Sequence, residues 1–221
     1  MVEPVAGHEP GPPGQIVILN GVPRSGKSSI VAAIQASFPE PWLNLGVDVY
    51  VRQVTPERYQ PGIGLRPGGE RPDLEPFVVR CYAALYESIA AHSRLGLNVV
   101  VDVGHHDAYS TPRGILADCA RRLAGLPVLF VGVHCPIETI MARRNAGQPG
   151  REGRYVTGSA DDPVPEPVRR WQREVHRPGI YDLELDTAQL SPEQCAARIR
   201  HRLEGGPRPT AFRQLAQSTP T

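Results

Sequence analysis

Gln15-Ile16-Val17-Ile18-Leu19-Asn20, followed by Gly21-Val22-Pro23-Arg24-Ser25-Gly26-Lys27-Ser28-Ser29, sets an apolar run against a glycine-rich turn. The run is nearly continuous, as expected of a strand covered on both faces of a parallel sheet. Ile30, Val31, Ile34 and Phe38 then recur at helical spacing until Pro39 and Pro41 stop the pattern. Two glycines with four residues between them, then Lys and Ser, bind phosphate when they stand between a strand and a helix, as here. Glycine lets successive N–H groups converge on phosphate oxygens, and the helix adds its positive end. The spacing therefore assigns Gly21, Val22, Pro23, Arg24, Ser25, Gly26, Lys27, Ser28 and Ser29 to the phosphates of a nucleotide. Lys27 would bridge the β- and γ-phosphates, and the Ser28 hydroxyl would enter the shell of a magnesium ion. Lys27 is the sole lysine among 24 basic side chains. A compact ammonium fits inside such a loop where a planar guanidinium does not.

Outward from this unit, strands alternate with helices. Trp42 to Val47, Asn98 to Val103, Val128 to Val133 and Tyr181 to Leu185 read as further strands. Asp73 is expected to cap a helix bearing Val78, Tyr82, Leu85 and Ile89, and Thr111-Pro112 to open one bearing Ile115, Cys119 and Leu123. Pro136 to Arg144 starts another, and Ser191-Pro192-Glu193-Gln194 is a capping box before Cys195, Ile199 and Leu203. The expected architecture is α/β: a five-stranded, doubly wound parallel sheet sandwiched by helices. Residues 15–205 form one domain, in which residues 53–73, rich in proline and glycine, make an acceptor-side loop and residues 143–167 a small lid. Residues 1–14 and 206–221 are expected to be disordered.

Net charge is +1, so no broad positive field gathers nucleic acid. The longest apolar runs are far short of the roughly 20 residues of a membrane helix. Residues 1–14 lack the basic start and apolar stretch of a secretory signal, which gives a cytoplasmic expectation. Cys81, Cys119, Cys135 and Cys195 lie far apart and read as reduced core thiols.

A phosphoryl acceptor needs a carboxylate at its hydroxyl and cations around the moving group. Asp48 follows the second strand, at the carboxyl edge where open α/β sheets bind ligands. It is the candidate for the hydroxyl proton; a helix cap or solvated acid is the plainer role. Asp102 ends the third strand, placed to reach magnesium through water or to hold the phosphate loop in shape. His105 and His106 could ligate a metal, although adjacent loop histidines more often face solvent or substrate. Arg143, Arg144, Arg151 and Arg154 cluster in the lid, with Arg144 and Arg154 the candidates to neutralise transferring charge. Arg169, Arg170, Trp171 and Arg173 are either lid or plain surface.

Pro39-Glu40-Pro41-Trp42-Leu43 with Gly46-Val47-Asp48, Val131-Gly132-Val133-His134-Cys135, and His176 followed by Tyr181-Asp182, Glu184 and Asp186-Thr187 resemble the chloramphenicol 3-O-phosphotransferase family. The resemblance spans roughly residues 15–205 and implies a P-loop kinase fold, ATP and magnesium as cofactors, and phosphorylation of a small-molecule hydroxyl in self-protection or antibiotic inactivation. It also implies that Asp48 is the catalytic base and that a lid arginine between Arg143 and Arg154 assists. Two other readings share the phosphate loop: a zeta-toxin-like nucleotide-sugar kinase, and a nucleotide-binding switch that has no acceptor.

Overall fold

A computed structural model describes residues 11–147 and 155–218 of the chain. Strand β1 (Ile16–Asn20) is buried along its whole length and lies at the centre of a parallel sheet. β3 (Asn98–Val103) flanks it on one side and β4 (Val128–His134) on the other; β2 (Trp42–Asn44) and β5 (Leu183–Asp186) form the edges, in the order β2-β3-β1-β4-β5. In register, Ile18 stands between Val101 and Phe130, and Asn20 between Val103 and Gly132.

Alternation along β1 sorts the core into two layers. Ile16 and Ile18 face helices α3 (Glu75–Arg94), α4 (Ile115–Arg122) and α8 (Ala211–Gln217). Val17 and Leu19 face α1 (Lys27–Ser37) and α7 (Pro192–Gly205). A smaller cluster joins α5 (Ile137–Asn145) and α6 (Glu166–Glu174) around Val22 of the phosphate loop. The fold is the expected α/β sandwich, and the capping box is present: Gln194 N donates to Ser191 Oγ at 3.2 Å, and Ser191 N to Gln194 Oε1 at 2.9 Å.

Several boundaries differ from expectation. β2 ends at Asn44, and Val47–Val49 turns into a short helix, α2, that continues as a wider helical turn over Tyr50–Val54. Asp73 does not cap α3: its carboxylate takes two bonds from Arg71, and the helix starts at Glu75 with Pro76 in its first turn. Thr111-Pro112 does not open α4, which begins at Ile115 behind Gly114, where φ is +61°. There the Asp107 carboxylate accepts from the N–H groups of Arg113 and Gly114 and holds the chain in a turn. β5 starts two residues later than read, because the Tyr181 ring is drawn beneath Gly132, where a Cβ would lie 2.8 Å from it.

Residues 53–73, expected as an acceptor-side loop, carry local structure. Short helical turns at Glu57–Tyr59 and Gly62–Gly64 seat Ile63 and Leu65 in the core against α3. The carboxyl-terminal segment is not the expected disordered tail. Its residues 211–217 form α8, with Ala211, Phe212 and Leu215 buried. Asp182 holds the start of this helix by accepting from the N–H groups of Thr210 and Ala211. At the other end, Gly14 is buried and exchanges hydrogen bonds with Ser93; residues 1–10 and 219–221 lie outside the described set.

Candidate active site

The turn after β1 has the backbone its glycines predict. Gly26 sits at φ +96° and Arg24 at +75°, and a Cβ on Gly21 would lie 2.4 Å from the Val133 carbonyl oxygen. Glycine is thus required at 21 by close packing and at 26 by backbone conformation. The Lys27 Nζ curls back to donate to the carbonyl oxygens of Gly21 (2.7 Å) and Val22 (2.9 Å). Burial pushes this ammonium down to about 8, against the opposing pull of the Asp102 and then the Asp48 carboxylate. All three charged groups therefore share one site.

Ser28 at the start of α1 donates from Oγ to Asp102 Oδ2 at 2.8 Å, joining two residues 74 positions apart. Asp102 reaches this place because residue 46 is glycine: a Cβ there would lie 1.8 Å from Asp102 Oδ1. A serine hydroxyl beside a single carboxylate fits magnesium, which keeps most of its shell as water and phosphate oxygens. Among the described residues no group of three or more His, Cys, Asp or Glu side chains is arranged to hold a metal alone.

The crevice is a cavity of about 950 Å³. Gly21, Pro23, Arg24, Gly26, Lys27, Ser28 and Ser29 form its floor, with Leu190, Ser191 and Pro192 beside them. Asp48, Val51, Gln60, Ile63 and Trp171 line the rest of it. Asp48 lies on α2, and Arg52 one turn later pairs with it at 3.6 Å. Val22 and Ser25 turn inward instead, at 2% and 0% exposure, and neither lines the cavity.

The arginines separate. Arg143 lines the cavity and donates to Thr187, from Nη1 to Oγ1 at 3.2 Å and from Nη2 to the carbonyl oxygen at 2.8 Å. Arg144, expected at the site, is buried outside the cavity lining, donates to Val156 O at 3.2 Å and stacks on Tyr155. Neighbours on a helix point about 100° apart, and Arg143 is the one of the two that lines the crevice. Arg151 and Arg154 lie outside the described residues.

His105 and His106 do not form a metal site. His105 is buried with Nε2 2.7 Å from the Tyr86 hydroxyl, and His106 contacts Leu65 O at 3.0 Å behind the Trp171 ring. Burial first, and then His106, push His105 down to about 3, which keeps it neutral. Trp171, read as lid or plain surface, and Thr187, given no role from the sequence, both line the cavity. Trp171 had only helical spacing to mark it, and Thr187 earns its place through a 2.6 Å bond to Ser25 O, 162 residues away.

A profile of the chloramphenicol phosphotransferase-like proteins matches residues 14–204. The chain belongs to that family. A provisionally named O-phosphotransferase of Mycobacterium tuberculosis is 29% identical, over 92% of this chain and 88% of its own. Among solved structures, the Mycobacterium tuberculosis APS kinase in complex with AMPPNP and APS superposes with a TM-score of 0.57 at 18% identity, over 88% of this chain and all (100%) of that one. A sugar kinase from Janibacter sp. HTCC2649 gives 0.57 at 19% identity, over 93% and 100%. These likenesses place this family member on the P-loop kinase fold as a kinase-like phosphotransferase.

Proposed function

We propose that the protein transfers the γ-phosphoryl group of ATP to a hydroxyl group of a small molecule. The observation that carries this reading is that Lys27 and Asp48 line one cavity together with the hydrogen-bonded Ser28–Asp102 pair. The loop amides and Lys27 hold the phosphates, and Arg143 lies across Gly26, where a Cβ would meet its Nη1 at 3.6 Å. Asp48 accepts the proton of the acceptor hydroxyl as that oxygen bonds to phosphorus and the bond to the ADP oxygen breaks. Ser28 and Asp102 would hold magnesium, which when bound neutralises charge on the phosphates. The apolar face made by Val51, Ile63 and Trp171 suits the body of an acceptor and excludes water from the transfer.

A hydroxylated antibiotic is one acceptor such a wall suits, and phosphorylation would inactivate it. Among the described residues no helix is long and apolar enough to cross a membrane, and the cytoplasm, where ATP is held, is our proposed location. ADP release measured over a panel of hydroxylated antibiotics and metabolites, UDP-N-acetylglucosamine included, tests the reading. A stimulating alcohol is expected for the unsubstituted protein and none for Lys27→Ala. Asp48→Asn is expected to retain ATP binding and lose transfer by about 10²–10⁴-fold. Full transfer by that variant would refute the role of Asp48, and nucleotide hydrolysis that no alcohol stimulates would favour a switch.

A further inference from the structure

The side-chain amide of Asn20, the last residue of β1, is 1% exposed and fully engaged. Its Nδ2 donates to Val175 O at 2.8 Å and to the Tyr181 hydroxyl at 2.9 Å, and its Oδ1 accepts from His105 N at 2.7 Å. The next residue, Gly21, opens the phosphate loop and offers the carbonyl oxygen that Lys27 holds. Val175 closes α6, which carries Trp171, and His105 follows Gly104. Those two segments meet at the acceptor wall: a Cβ on Gly104 would lie 3.1 Å from the Trp171 ring. One side chain at the root of the donor loop thus ties together both parts of the wall, across 155 and 85 residues of sequence. Only an amide supplies two donors and an acceptor in this arrangement; a carboxylate cannot donate to Val175 O.

We propose that Asn20 is a positioning residue that couples the two halves of the site, so that the Trp171 wall responds to occupancy of the phosphate loop. Buried and satisfied, such an amide transmits displacement, because losing any one of its bonds leaves a polar group unpaired. The inference rests on the phosphotransferase reading, which supplies the nucleotide.

Trp171 is itself the reporter. The chain has two tryptophans, and Trp42→Phe leaves Trp171 as the single emitter. Magnesium and AMPPNP are titrated into this parent and into its Asn20→Asp derivative, with acrylamide quenching of Trp171, calorimetric affinity and Tm recorded for each. Saturating nucleotide is expected to change quenching in the parent. In the derivative that change is expected to vanish while affinity stays within about fivefold, the lower end of coupling between sites. If Asn20 only braces the fold, Tm and affinity fall together and the Trp171 response keeps its amplitude, which would overturn the proposal; so would a parent whose Trp171 does not respond. Tyr181→Phe removes one of the three partners and serves if Asn20→Asp does not fold, with a reduced response expected and an unchanged one contradicting the coupling. A parent that binds no AMPPNP overturns the phosphotransferase reading itself, and this inference with it.

Discussion

Lys27 shows how one side chain carries both the chemistry and its conditions. Its charged form is disfavoured by burial and bonded to two loop carbonyls, so phosphate oxygens that replace those partners restore a full counter-charge. The sign of the pH dependence follows. With a pKa near 8 before binding, the ammonium is charged below that value and lost above it. Calorimetric affinity for ATP is therefore expected to be flat below pH 7 and to fall by up to about tenfold per unit above 8, with the decline absent in Lys27→Met. For folding, the unfolded chain holds this proton up to the ordinary 10.5, so the Lys27 contribution to stability rises with pH between about 8 and 10.5. Arg143 and Arg144 make a second test, because adjacency in sequence hides opposite surroundings. Arg143→Ala is expected to slow transfer by about 10²-fold or more with little change in Tm. Arg144→Ala is expected to lower Tm by several degrees through its lost packing on Tyr155 and bond to Val156, with a smaller effect on turnover. Equal loss of turnover in both would contradict the division.

Among the elements, α8 departs most from its sequence. Residues 206–221 look polar and short, yet Phe212 packs between Tyr86 and Phe130 at ring distances of 6.4 Å and 5.0 Å. A seven-residue helix has almost no stability alone. Its order comes from contacts with α4 and β4 and from the Asp182 carboxylate, and neither source is visible to local periodicity. Phe212→Ala is expected to destabilise the fold by about 3–5 kcal/mol in urea unfolding. A cost under about 1 kcal/mol would show that α8 is an ornament on the sheet. The same physics explains the misread starts of α3 and α4. Asp73 and Thr111 are good caps by type, but Arg71 engages the first and the Asp107 turn ends beyond the second. Capping preference is worth about 1 kcal/mol, less than a well-made tertiary arrangement can outweigh.

For the molecule as a whole, the parallel sheet gathers the carboxyl ends of β1, β2 and β3 along one edge, where Gly21, Asp48 and Asp102 emerge together. Ligand that binds there stabilises the fold by mass action. ATP with magnesium at about 100 times its Kd is expected to add about 2.7 kcal/mol to unfolding free energy, with no shift in Lys27→Ala. A chain that unfolds at the same temperature with and without nucleotide would exclude the site.

The strand-turn-helix at residues 15–38, the alternation of later elements and the acids that follow β2 and sit near the end of β3 were legible from residue type and spacing, because apolar periodicity and glycine chemistry act over a few neighbours. Which arginine faces the cavity, that Gly46 makes room for Asp102, that Trp171 walls the crevice and that Asn20 ties that wall to the loop were not. Each depends on a partner brought close by folding from dozens of residues away, and burial and contact at that range leave no local pattern to read.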